Sequence, residues 1–331
     1  MASGEVVVIT GASAGVGRAV ARRFAQDGAS IGLIARSREA LDGARKDVEA
    51  AGGRALVLPT DIADWDAVES AATAVEEAFG AIDVWVNDAM TTVFAPFKDI
   101  EPDEFRRATE VTYLGTVWGT KAALARMQPR NHGSIVIVGS ALAYRGIPLQ
   151  APYCGAKHAV KGFFESVRTE LRHDGSDVQL SMVQLPGLNT PQFEHCRSKM
   201  PKLPQPMPPY YEPEVAADAV HWAAHNTRRE IWVGGPTVKT IVGEKLVPGF
   251  VERVLAKRGY KGQQTDQPAD PNRPDNLFQP VPGDPGAHGP FDSKSRTRSI
   301  QLQLSKSRSV VAAAAVTLMT GSVLFATWRS G

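Results

Sequence analysis

Val6-Val7-Val8-Ile9-Thr10-Gly11-Ala12-Ser13-Ala14-Gly15-Val16-Gly17 decides how the chain folds. Val6 to Thr10 is a short, nearly continuous apolar run, the pattern of a strand covered on both faces. Beyond the turn the period changes. Val16, Val20 and Phe24 recur every four residues and share one face of a helix. Between strand and helix, Gly11, Gly15 and Gly17 let the backbone turn tightly and approach a ligand closely. The new helix presents free N–H groups and the positive end of its dipole, which suits a pyrophosphate. Surface turns also carry glycines, but the strand–turn–helix context favours the anion site. Gly11, Ser13, Ala14, Gly15, Val16 and Gly17 are its candidate residues.

The alternation continues to about residue 240. Strand-like runs follow at Ser30–Ala35, Ala55–Pro59, Ile82–Asn87, Ser134–Gly139, Val178–Leu185 and Glu230–Val233, with helical segments between them. Repeated β-α-β order predicts an α/β fold, a doubly wound parallel sheet with helices on both faces, Rossmann-like in arrangement. Residues 1–245 are expected to form one catalytic domain that includes a substrate loop, 186–213, followed by a helical extension at 246–262. The proline-rich part of that loop, from Pro201 to Pro213, leaves the carboxyl end of the sixth strand. Open parallel sheets bind ligands at such ends, so this stretch reads as a lid.

Ser140 lies just past the fifth strand-like run. Thirteen residues later come Tyr153-Cys154-Gly155-Ala156-Lys157 at the start of a helical pattern. The i,i+4 spacing puts Tyr153 and Lys157 on one helix face. Such a pair is common on surfaces, but Ser140 and the glycine turn give it a context. A phenol is too weakly acidic to act as a base at neutral pH, and a neighbouring ammonium favours its charged form. The turn with Thr10 before it (TGxxxGxG) and the Ser–x12–Tyr–x3–Lys spacing together resemble the short-chain dehydrogenase/reductase family. The resemblance covers about residues 5–240. It implies hydride exchange between a nicotinamide dinucleotide and a carbonyl or alcohol. Tyr153 would move the proton, Lys157 would tune it and hold the nicotinamide ribose, and Ser140 would hold the substrate oxygen.

The second strand ends Ala35-Arg36-Ser37-Arg38, where an NAD-binding chain would place a carboxylate on the ribose 2′-hydroxyl. A guanidinium at this position suits a 2′-phosphate, so Arg36 predicts NADP(H) in preference to NAD(H). By resemblance, Asp61 and Ile62 after the third strand would meet the adenine. Asn87-Asp88-Ala89-Met90 stands where the family has Asn-Asn-Ala-Gly, so Asn87 and Ala89 match while Asp88 and Met90 depart. Pro186, Gly187 and Thr190 resemble the segment that contacts the nicotinamide amide. Thr112 stands where the family has the Asn of its proton relay. A threonine hydroxyl can also donate and accept, so Thr112 is a candidate fourth catalytic residue.

Thr112 and Asp88 keep a second possibility open, a dinucleotide-binding regulatory or scaffold protein with little turnover. His221 and His225 have metal-ligand spacing, but without a completing carboxylate they read as a helix-face pair, and no metal is expected. Cys154, Glu194 and His195 are read as bystanders.

The 37 Lys and Arg nearly balance the 35 Asp and Glu, so no global charge invites nucleic acid. Two cysteines at unrelated positions make no disulfide framework. No charged and then apolar leader precedes the first strand, which predicts no secretory signal. From Gln263 to Pro290 there are seven prolines and little apolar content, and a basic stretch follows. Residues 263–309 therefore read as a disordered linker. Val310 to Trp328 then runs nineteen residues without a charge, roughly 28 Å as a helix. This predicts a C-terminal transmembrane anchor with the catalytic domain cytoplasmic, the alternative being a wholly cytoplasmic protein. An anchor hints at a lipophilic substrate. The resemblance implies a homodimer or homotetramer, joined through the helix that bears Tyr153.

Overall fold

In the computed structural model, which describes residues 4–270 and 272–307, the apolar runs pair into one parallel sheet. Its strands are β1 (Val6–Thr10), β2 (Ser30–Ala35), β3 (Arg54–Pro59), β4 (Val84–Asn87), β5 (Ser134–Ser140), β6 (Gln179–Leu185) and β7 (Glu230–Trp232). They lie in the order β7-β6-β5-β4-β1-β2-β3. The chain winds outward from β1 in one direction and from β4 in the other. A crevice therefore opens at the carboxyl ends of these two neighbours.

Alternate strand residues serve the two faces. Val7, Ile9, Ile31 and Leu33 pack with α1 (Gly15–Ala25), α2 (Arg38–Ala50) and, further along the sheet, α8 (Pro213–Ala224). Val6, Val8 and Ile34 turn to the opposite face, toward α3 (Trp65–Phe79), α5 (Gly115–Met127) and α6 (Ala151–His173). Phe24, predicted on the inner face of α1, is fully buried. Burying each such side chain contributes about 1.5–3 kcal/mol, so the alternation fixes strand register strongly. The short helices α4 (Pro102–Thr109) and α7 (Gln192–His195) flank the cleft end of the sheet, and α9 (Gly234–Leu246) and α10 (Pro248–Gly262) follow β7.

The expected disordered linker is instead packed on the domain. Gln264–Pro268 pairs antiparallel with Lys202–Pro204, and Ser295–Arg296 pairs in parallel with Tyr210–Tyr211. Leu277 is fully buried against Val93, Ala95 and Ala108. The Phe291 ring lies 5.3 Å from that of Tyr210. The last helix among the described residues, α11 (Ile300–Lys306), begins at a Ser299 cap and buries Leu302. Low apolar content reports that a segment cannot fold alone. It does not report whether a few well-placed apolar residues can dock on a core that already exists. The apolar run at 310–328 lies outside the described residues. Among the described residues no helix is long and apolar enough to cross a membrane.

Candidate active site

A cleft of about 650 Å³ opens at the carboxyl ends of the strands. Gly11, Ser13, Ala14, Gly15 and Val16 line one end of it. The turn needs its glycines for stated reasons. Gly11 has φ +75°, and a Cβ there would lie 2.9 Å from Ala89 backbone atoms. A Cβ on Gly17 would lie 2.3 Å from the Gly11 carbonyl oxygen. Gly17 therefore sits beneath the turn rather than on the cleft wall, against the Asp88 carboxylate.

Ser140, Tyr153 and Lys157 converge on the same cleft. Ser140 ends β5, and its Oγ accepts from the Leu142 N–H at 3.1 Å, which holds the hydroxyl at the strand's exit. Tyr153 stands in the first turn of α6 and Lys157 one turn later. The Lys157 ammonium donates to the Val138 carbonyl of β5 at 2.7 Å and lies 5.6 Å from the centre of the Tyr153 ring. Burial pushes the Tyr153 phenol above its ordinary value, and the adjacent Ser140 hydroxyl acts the other way. Lys157, expected to supply that lowering, is itself held below the usual ammonium range by burial.

Asp88 opposes the effect of burial on Lys157. Burial raises the Asp88 carboxyl, while Lys157 and the Gly17 N–H oppose that rise. In return the Asp88 charge raises Lys157. An amine with a depressed pKa loses its proton as pH rises through the depressed value. Asp88→Asn removes the supporting charge, so Lys157 is expected to lose its proton at lower pH. The alkaline limb of the pH–rate profile should move down accordingly. A limb that stays in place would show that the two groups are not coupled in the working enzyme.

At the far end of the cleft, Arg36 stands just past β2 and lines the wall. Its guanidinium donates to the backbone carbonyls of Asn276, Leu277 and Phe278. Asp61 and Ile62 also line the cleft, with Asp61 ion-paired to Arg107 and accepting from the Ala63 N–H at 3.1 Å. Ala89, Pro186, Gly187 and Thr190 complete the expected set on the wall.

Besides Gly17, two expected residues lie off the cleft. Asn87 is buried off the cleft, accepting from Trp85 Nε1 at 3.0 Å and donating to Thr120 Oγ1 at 3.0 Å. Its amide ties the strand to α5. Thr112 is also fully buried off the cleft, in a π-helical turn at Glu110–Leu114. Its hydroxyl donates to the Thr91 carbonyl at 2.9 Å and accepts from the Thr91 N–H at 3.1 Å. That hydroxyl has spent its only donor on holding a loop, so the geometry does not place it in a relay.

Other wall residues carried little sequence signal. His195, read as a bystander, lines the cleft, and burial lowers its pKa. Val251 and Leu255 of α10 add apolar wall near Leu142, Phe193 and Met207. Their i,i+4 spacing marks one half-buried helix face but not what that face meets.

A family model described as short chain dehydrogenase matches residues 5–201. The chain belongs to the short-chain dehydrogenase/reductase family. Similar relatives include the uncharacterized oxidoreductase YxnA of Bacillus subtilis (strain 168), 30% identical over 316 residues, which span 94% of this chain and 88% of that one. The 3-dehydrosphinganine reductase of Danio rerio is 33% identical over 196 residues, with 58% of each chain covered. A solved short chain dehydrogenase from Mycobacterium paratuberculosis bound to NAD superposes with a TM-score of 0.62 at 25% identity, covering 72% of this chain and 98% of that one. A metagenomic short-chain oxidoreductase in complex with NADP gives 0.58 at 29% identity, covering 70% and 97%. As a short-chain dehydrogenase/reductase, this chain is an oxidoreductase built for a nicotinamide dinucleotide.

Proposed function

We propose that the protein interconverts a ketone or aldehyde with an alcohol, using NADP(H) in preference to NAD(H). The observation that carries this reading is the convergence of Ser140, Tyr153 and Lys157 on the cleft that the glycine turn also lines. The cleft fits the cofactor class. Its volume falls within the usual range for ligand sites and one end has a glycine turn with no room for side chains, while the Arg36 guanidinium on the wall supports a 2′-phosphate as its partner.

The bound nicotinamide supplies or accepts the hydride. Everything else falls to the chain. Ser140 holds the substrate oxygen, and Tyr153 gives it a proton during reduction or takes one during oxidation. Lys157 keeps positive charge behind the phenol and positions the ribose, and Asp88 keeps Lys157 charged. Pro186, Gly187 and Thr190 orient the nicotinamide end, and Asp61 and Ile62 the adenine end. Thr112 has no step in this scheme. The wall at Leu142, Ile147, Phe193, Met207, Val251 and Leu255 is apolar, which supports a lipophilic carbonyl compound as substrate.

NADPH consumption against a panel of aliphatic, aromatic and steroid-like carbonyl compounds tests the reading, with turnover expected on the more apolar members. Dinucleotide binding without turnover across the panel would favour the scaffold alternative. We also propose that the run at 310–328 inserts in a membrane with the enzyme on the cytoplasmic side, on the strength of its length and the basic residues before it. Carbonate-washed membranes should then retain the full chain, and its recovery in the soluble fraction would refute insertion.

A further inference from the structure

We propose that residues 276–289 are part of the dinucleotide site, forming a strap that closes over the bound cofactor and must release its hold on the Gly15 N–H before the cofactor can exchange. The proposal rests on the dinucleotide reading above and assigns a role to a segment outside the family match, which ends at residue 201.

The first observation is position. Asn276, Pro280, Val281 and Pro285 line the same cleft as the glycine turn and Arg36. The strap is therefore a wall of the site and not a neighbour of it.

The second is competition for donors. The Gly15 N–H, at the start of α1, donates to the Gly286 carbonyl at 3.1 Å. The Arg36 guanidinium donates to the carbonyls of Asn276, Leu277 and Phe278. Both places offer donors to the anionic parts of a dinucleotide. A carbonyl and a phosphate oxygen are both acceptors, so one N–H cannot serve both fully, and crowding them together adds repulsion. Binding at the turn asks the Gly286 carbonyl to withdraw, and binding at Arg36 asks the guanidinium to turn from the carbonyls of residues 276–278.

The third is how the strap is fastened. One end is held by buried Leu277, by the Asn276 N–H on the His195 carbonyl at 2.8 Å, and by Asp275 on Arg197 at 2.8 Å. The other end hangs on Asn189, which is fully buried. Asn189 Oδ1 accepts from the Phe291 N–H at 3.0 Å, and Nδ2 donates to Asp292 at 2.6 Å. Pulling either end away would strand buried polar groups. The middle is held more lightly. Asp284, itself partly exposed, pairs with the buried Arg18 of α1, and the Gly283 N–H donates to Glu39 of α2 at 2.9 Å. Motion is thus confined to the span between two firm ends, which can bow outward and return.

The middle can be locked. A Cβ built on Gly43 of α2 lies 2.6 Å from the Asp284 Cγ, so cysteines at 43 and 284 stand within disulfide reach. The native Cys154 and Cys196 are buried and do not compete. In the full-length Gly43→Cys/Asp284→Cys protein, stopped-flow NADPH fluorescence should show association and dissociation both slowed at least about tenfold when oxidised, and restored by reduction. Asp284→Asn, which loosens the strap without a crosslink, should speed NADPH release by about three- to fivefold, the size expected from one partly exposed ion pair. Equal rates in the oxidised and reduced forms, with release unchanged in Asp284→Asn, would overturn the strap. If the wild-type protein binds neither NADPH nor NADH, the dinucleotide reading itself fails, and the strap with it.

Discussion

Tyr153→Phe should lower turnover by about 10²- to 10⁴-fold, the range expected when a positioned acid–base group is lost. The substitution removes one hydroxyl and leaves the ring that lines the cleft. NADPH affinity should change less than about threefold, because the proposed phosphate contacts, the glycine turn and Arg36, do not involve the phenol. Loss of kcat with near-constant cofactor affinity is the pattern of an interaction made in the transition state. The measurement is kcat on the best carbonyl substrate together with NADPH affinity from fluorescence titration. Substantial residual activity would mean that another group carries the proton. His195 is the next titratable side chain to examine, since it lines the cleft and burial favours its neutral form.

Arg36→Asp should reverse the cofactor preference. The guanidinium can give a 2′-phosphate charge-assisted hydrogen bonds, worth roughly 1.5–3 kcal/mol, and the replacement adds repulsion. The ratio of kcat/KM for NADPH over NADH should fall by at least about 10- to 100-fold, mostly through a higher KM for NADPH. The effect has a second component. Arg36 also holds three strap carbonyls, which a carboxylate cannot do. Release of both cofactors should therefore quicken somewhat, and only the ratio between them reports the 2′-phosphate. An unchanged ratio would remove Arg36 from cofactor choice.

The parts of the molecule legible from sequence are those where a single periodicity or a fixed local spacing does the specifying. Val6–Thr10 and Ser30–Ala35 are strands buried on both faces, and continuous apolar runs announce that. Ser140, Tyr153 and Lys157 meet because a strand end and one helix turn bring them together, so their spacing in sequence maps directly onto space. Asn87 and Thr112 were harder. Each matches a motif position or a chemical type, but what an amide or hydroxyl bonds is decided by neighbours distant in sequence, here Thr120 and Thr91. The strap was the least legible. Its prolines and polar residues read as a disordered linker, whereas its described part is packed on the domain. Its place comes from Leu277, Asn189 and Asp284 meeting partners on the finished domain. No periodicity within the segment encodes those meetings. The wall from α10 was hidden for the same reason.

Hydride transfer itself is the most direct measurement. Wild-type protein incubated with NADPH deuterated at the reactive nicotinamide carbon and an apolar ketone or aldehyde should yield an alcohol with deuterium on its carbinol carbon, and Tyr153→Phe should yield almost none. Tight NADPH binding with no label in any product of a broad carbonyl panel would contradict the assignment of this cleft as a carbonyl–alcohol redox site.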